Sequence, residues 1–170
     1  MVNDALLRLT GQLSGGWLNI LIASHDWIIP SLQTIHILSV AVVLSGVLFI
    51  NLRIAGLVEH GQPIAAILDR YLWPVTIAVT VLAVTGALLI AGEPTRAIFR
   101  MIFWIKMALI VAALGLTWSH RAVFTLAPGG AIAVAPARKL VAIVALALWL
   151  AVIVAGRWIA YVNAWPGAPS

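Results

Sequence analysis

Residues 31–57 read SLQTIHILSVAVVLSGVLFINLRIAGL. The run is long and apolar enough to cross a lipid bilayer, which takes about 20 residues of helix. Yet it carries His36 near its start and Asn51-Leu52-Arg53 near its end. An ionisable group inside a span is costly, by at least about 2.5–3.5 kcal/mol for a central Arg, Lys or Asp on insertion scales. Each one therefore needs a partner or a purpose.

Composition places the rest of the chain in the same solvent. Of its 170 residues 64% are hydrophobic and only 9% charged, and the mean hydropathy is +1.12. A soluble domain of this size could not hide that much apolar surface. Cysteine is absent, which excludes disulfides, thiolate metal sites, covalently attached c-type haem and cysteine-held iron–sulfur clusters. The formal charge of +5 fits loop arginines facing anionic lipid rather than nucleic acid, because no basic cluster interleaves with aromatics.

Working outward, four segments qualify as spans: 30–57, 72–91, 97–119 and 139–161. Short, Gly- and Pro-containing connections favour an all-α, up-down four-helix transmembrane bundle. Residues 1–29, broken at Gly15-Gly16, are expected to form an interfacial N-terminal segment without the charged front of a cleavable signal. Residues 166–170 form a tail. Arg53, Arg70, Arg121, Arg138 and Lys139 gather on one side, and Arg8, Arg96, Arg100 and Arg157 on the other. This bias puts both termini outside. Trp17, Trp27, Trp158 and Trp165 then belt the outer interface, with Trp73 and Trp118 at the inner one.

The polar residues within the spans are the candidate site. On the first span Gln33, His36, Ser39 and Gly46 share one side of the helix. His36 reads either as a packing histidine bonded to a neighbouring hydroxyl or carbonyl, or as a neutral axial ligand for haem or copper. On the third span Lys106, Ile110, Ala113, Thr117 and His120 form one stripe. Lys106 reads as snorkelling to the interface or as a buried cation holding an anion. Arg157 and Tyr161 share a face of the fourth span. All five acidic residues, Asp4, Asp26, Glu59, Asp69 and Glu93, fall outside or at the edges of the spans. A proton or cation transporter usually carries an intramembrane carboxylate. Its absence favours an anionic cofactor or a partner subunit over ion translocation.

In an up-down bundle His36 lies at the outer level and His120 at the inner one, so they cannot share a haem. His60 pairs with His120 in level; His25, Met101 and Met107 are the candidates beside His36. Lys106, Arg157 and Arg100 can balance propionates. A copper site would use His36, Met101, Met107 and His25. No phosphate loop, HExxH or Gly-x-Ser-x-Gly is present.

Ser24, Trp27, Pro30, His36, Gly46, Leu52, Arg53 and Gly56 fit a pattern Ser-x-x-Trp-x-x-Pro, His, then Asp-Leu-Arg-Leu-x-Gly. Phe103 and Lys106 fit a later Phe-x-x-Lys, and Trp149, Gly156, Arg157 and Tyr161 the fourth span. The chain thus resembles an uncharacterised family of small bacterial four-helix inner-membrane proteins. That family is similar in outline to membrane cytochrome b subunits and copper-resistance D-type membrane proteins. Asn51 departs from the pattern's Asp, and Ser39 from a frequent Gly. The leading expectation is a non-catalytic, haem b-binding inner-membrane subunit passing electrons between a periplasmic partner and the quinone pool. The alternatives are a cofactor-free anchoring subunit of a membrane complex and a copper-handling protein.

Overall fold

A computed structural model of the protein describes residues 2–58, 61–125, 135–159 and 161. His60, most of the third loop, Trp165 and the tail lie outside them. The described residues form seven helices: α1 (Val2–Ser14), α2 (Trp17–Ala23), α3 (Ile28–Ala55), α4 (Ile64–Gly92), α5 (Pro94–Ile98), α6 (Met101–Thr125) and α7 (Pro136–Trp158). Among them α3, α4, α6 and α7 are long and apolar enough to cross a membrane. The protein is a multi-pass membrane protein built as an antiparallel four-helix bundle.

Local chemistry sets the helix ends. Pro30 stands in the first turn of α3, where its missing N–H is not needed. The helix stops at Gly56, whose φ of 79° and ψ of 30° are left-handed. Its N–H donates to the Arg53 carbonyl at 3.1 Å, and that of Leu57 to Leu52 at 2.9 Å. This is the Schellman arrangement that glycine permits at least cost. Arg53 then reaches over the loop to the Gln62 carbonyl, Nε to O 3.2 Å.

Two boundaries differ from the hydropathy reading. α4 is already helical from Ile64, because the exposed Asp69 and Arg70 interrupt the apolar run without breaking the backbone. At the other end, residues expected to open the third span form α5, with Pro94 in its first turn. The spanning helix itself begins at Met101, after the buried Phe99.

The four long helices form a ring in the order α3, α4, α6, α7. The α3–α4 seam is the most extensively packed, α6–α7 and α7–α3 follow, and α4 and α6 meet over only a short stretch. One core cluster joins Val43, Val47, Val75, Ala78, Ala113 and Trp149. A second, nearer the C-terminal end of α3, joins Ile50, Ile54, Ile67, Leu68, Leu72 and Ala142. The outward faces stay apolar, with Ile37, Leu38, Val111, Leu140 and Ile143 exposed. That is the surface a lipid solvent requires. Trp17, Trp27 and Trp158 are exposed at one end and Trp73 toward the other, positions suited to interfacial anchoring.

The N-terminal helices, separated at Gly15-Gly16, dock onto the end of α4. Asn19 Nδ2 donates to the carbonyls of Ala91 and Gly92 at 2.8 and 3.0 Å, serving two groups that a helix terminus leaves unpaired. Ile22 is buried beside Gly92, where a Cβ would stand 3.0 Å from its Cγ2. Asn19→Ala is therefore expected to cost about 1 kcal/mol and to free the N-terminal segment. Thermal unfolding in detergent and limited proteolysis before Trp27 would register both; an unchanged protease pattern would contradict the docking.

Candidate functional site

At the end of the bundle where α3 starts, all four long helices contribute to one cluster. His36 Nδ1 stands 2.8 Å from Thr85 Oγ1 on α4. The Thr85 hydroxyl donates its one proton to the Val81 carbonyl at 2.7 Å, so its oxygen accepts and His36 Nδ1 is the donor. In this arrangement Nε2 keeps its lone pair. The ring rests against Gly86, where a Cβ would lie 3.6 Å from Cε1.

Lys106 reaches the same place from α6. Its stem lies along Gly156 of α7, with Nζ 3.4 Å and Cε 3.5 Å from where a Cβ would be. Lys106 is partly buried and has no hydrogen bond or ion pair among the described residues. The cluster thus combines an imidazole, an ammonium with no ion pair among the described residues, and two glycines that keep side chains out of the way.

The other expected site residues are distributed differently. Arg100 donates to the Ile159 carbonyl at the end of α7, where a cation suits the helix terminus. Arg157 is exposed; its Nη2 donates to Tyr161 Oη at 2.7 Å, with the guanidinium 5.0 Å from the ring centre. Met101 is 67% and Met107 36% exposed, both on the outer surface of α6. His25 is exposed, with Nδ1 2.9 Å from Ser24 Oγ and 3.1 Å from the Leu21 carbonyl, and its ring set edge-on to Trp27. Ser39 is buried and donates to the Ile35 carbonyl. Among the described residues no three His, Cys, Asp or Glu side chains converge as a metal site would need.

Toward the opposite end lies a second polar layer. His120 is 0% exposed and neither ring nitrogen has a hydrogen-bond partner among the described residues. Asn51 on α3 is 1% exposed; its Nδ2 donates to the Val47 carbonyl at 2.8 Å, while Oδ1 has no partner among those residues. Thr117 donates to the Ala113 carbonyl at 2.8 Å and accepts from Trp149 Nε1 at 3.1 Å. Each buried polar atom without a partner costs about 1–3 kcal/mol. Three of them would consume much of a net stability that is typically about 5–15 kcal/mol.

Thr85, Asn51 and Trp149 are the partners that sequence reading did not assign. The spacing of four between Val47 and Asn51 hints that Asn51 faces the core. Nothing in one sequence pairs Thr85 with His36.

A family model described as a family of unknown function, DUF6644, matches residues 27–162. The chain belongs to that family. The matched stretch includes His36, Thr85, Lys106 and Gly156 of the first cluster and Asn51, Thr117 and His120 of the second. No curated protein and no solved structure matches the chain.

Proposed function

We propose that this DUF6644 member is a bacterial inner-membrane subunit that binds haem b through His36 and passes electrons between a periplasmic partner and the quinone pool. The observation that carries the reading is the His36–Thr85 hydrogen bond, which leaves Nε2 for a ligand, at the end of the bundle where Lys106 has no hydrogen bond or ion pair among the described residues. Haem b presents a Lewis-acidic iron and two carboxylates, the complements of those two groups. Thr85 holding Nδ1–H gives the ligand the outer-shell support that metal-binding histidines usually have. The thinly packed α4–α6 seam supplies the place where a flat macrocycle parts the helices with least loss of packing. Bound there, haem supplies a one-electron redox centre. His36 would hold the iron and Lys106 would face a propionate; Arg100 and Arg157 have other partners among the described residues.

Met101, Met107 and His25 do not share the His36 cluster, so the chain's described residues offer the iron one ligand. The purified protein is expected to carry about one haem per chain, by pyridine haemochrome assay, with the broad bands of a high-spin ferrous centre after dithionite. A flat visible spectrum from folded protein made with ample haem would overturn the reading.

A second reading is favoured by a different surface. Two adjoining apolar grooves of about 370 and 470 Å³ run along α3 and α4 and share Leu38, Val42 and Pro74. These grooves suit a cofactor-free subunit whose α3–α4 face receives another helix. Co-purification of a colourless chain with a membrane partner would support it. Copper has no comparable support, since the two methionines it would use lie outside the cluster.

A further inference from the structure

The grooves along α3 and α4 end at a cation, and the haem reading uses neither. On α4, Arg70, Pro74, Ile77 and Val81 follow at spacings of four, three and four, so they form one stripe of the helix. The last three line the grooves, and Arg70 continues the stripe one turn beyond Pro74. It is exposed and has no hydrogen bond or ion pair among the described residues. Asp69, its acidic neighbour, is turned about 100° away round the helix. On α3 the lining stripe is Ile35, Leu38, Val42, Ser45 and Phe49, and Arg53 follows one turn later. Arg53 is half-buried and already bonds the Gln62 carbonyl, so Arg70 is the cation this face presents. Between the ends the groove is hydrocarbon, because Ser39 and Ser45 donate their hydroxyl protons to the carbonyls of Ile35 and Ala41. Near the Arg70 end Phe49 stacks on Tyr71, ring centres 5.2 Å apart and 11° from parallel. The larger groove, from Leu38 to Phe49, runs about 16 Å along the axis. That is the depth of one leaflet, half of a hydrocarbon core about 30 Å thick.

We propose that this groove holds one anionic phospholipid of the leaflet on the Arg70 side, with an acyl chain along α3 and α4 and its phosphate on the Arg70 guanidinium. The planar fork of an arginine matches phosphate oxygens, and cations at the ends of spanning helices recognise anionic headgroups. A lipid suits the shape better than a helix from a partner. Helix contacts in membranes bring small residues to the surface so that backbones approach. Here the small residues Ser39, Gly46 and Ala78 are buried, while Leu38, Phe49 and Ile77 stand exposed along the groove. A helix about 10–12 Å across rides on those side chains; an acyl chain lies between them.

The test joins photo-crosslinking to native mass spectrometry of the full-length chain. In phosphatidylcholine bilayers containing phosphatidylglycerol with a diazirine on one acyl chain, label should fall on residues 38–49 and 71–77. It should do so several-fold more often than around the exposed Val111 and Ile143. In native mass spectrometry one phosphatidylglycerol should stay bound in preference to phosphatidylcholine. Arg70→Gln should reduce that preference about fivefold, and Arg121→Gln, a change to an exposed cation on α6, should leave it unchanged. Even labelling of all outward faces, a retained preference in Arg70→Gln, or equal losses in the two variants would overturn the proposal in favour of a non-specific lipid shell. A groove protected from label in a chain that runs as a dimer or with a partner would overturn it in favour of a docked helix. The labelling uses the unaltered chain, so it decides the matter even where Arg70→Gln does not fold, and none of these readouts depends on haem content.

Discussion

If haem b is bound as proposed, His36→Ala is expected to insert and fold yet lose the visible absorbance of the haem, because it removes the imidazole lone pair at the cluster. Thr85→Val makes the finer test. Valine keeps the shape of threonine, so α3 and α4 still pack, but the acceptor for His36 Nδ1–H disappears. The proposed iron ligand remains while its orientation and basicity are no longer held. Loss of such an outer-shell partner typically weakens metal affinity by about 10–100-fold. Haem titration should therefore rank unaltered protein above Thr85→Val, and Thr85→Val above His36→Ala. Circular dichroism and gel filtration would show that all three share the same fold. If His36 serves only to join α3 to α4, both variants alter stability alone and haem content does not follow the ranking. Full haem retention in His36→Ala would remove the histidine from the site.

The same pair of residues shows how far the sequence could be read. Spans are one-dimensional features: apolar length and the Gly-Pro punctuation suffice to place four of them and to put His36 and His120 at different levels. The stripes carrying His36 and Lys106 follow from helical periodicity. Which stripe meets which depends on how each helix is rotated and how closely its neighbour approaches. That decides why His36 meets Thr85, and why Arg100 and Arg157 find partners near the end of α7. Pro74 stands inside α4, and the helix continues through it. It is exposed and borders both grooves on the α3–α4 face. Asn51, which stands where the family pattern has Asp two residues before Arg53, turns into the core, while Arg53 bonds the loop carbonyl of Gln62. Two residues apart on a helix point in different directions, so the two were never placed to pair.

The largest stability effect should come from Gly46→Ala, one added methyl group at the best-packed seam. A Cβ at Gly46 would run into Val75 Cγ2, with the Tyr71 carbonyl oxygen 3.6 Å away and Tyr71 Cβ at 3.9 Å. Val75 is 0% exposed and β-branched, so it has no free rotamer to retreat into. Relief requires α3 and α4 to separate, which loosens contacts along the whole seam. Overpacking of this kind costs about 1–3 kcal/mol, and within a membrane no gain from hydrophobic burial offsets lost helix–helix contact. Gly115→Ala makes the matched control. It too sits inside a spanning helix, but a Cβ there meets nothing within 4 Å, and alanine favours helix over glycine by about 1 kcal/mol. Unfolding in detergent should move in opposite directions for the two variants, down for Gly46→Ala and up for Gly115→Ala. Equal shifts would mean that the methyl group meets the same surroundings at both sites, and that α3 and α4 are not held apart only by a hydrogen atom at Gly46.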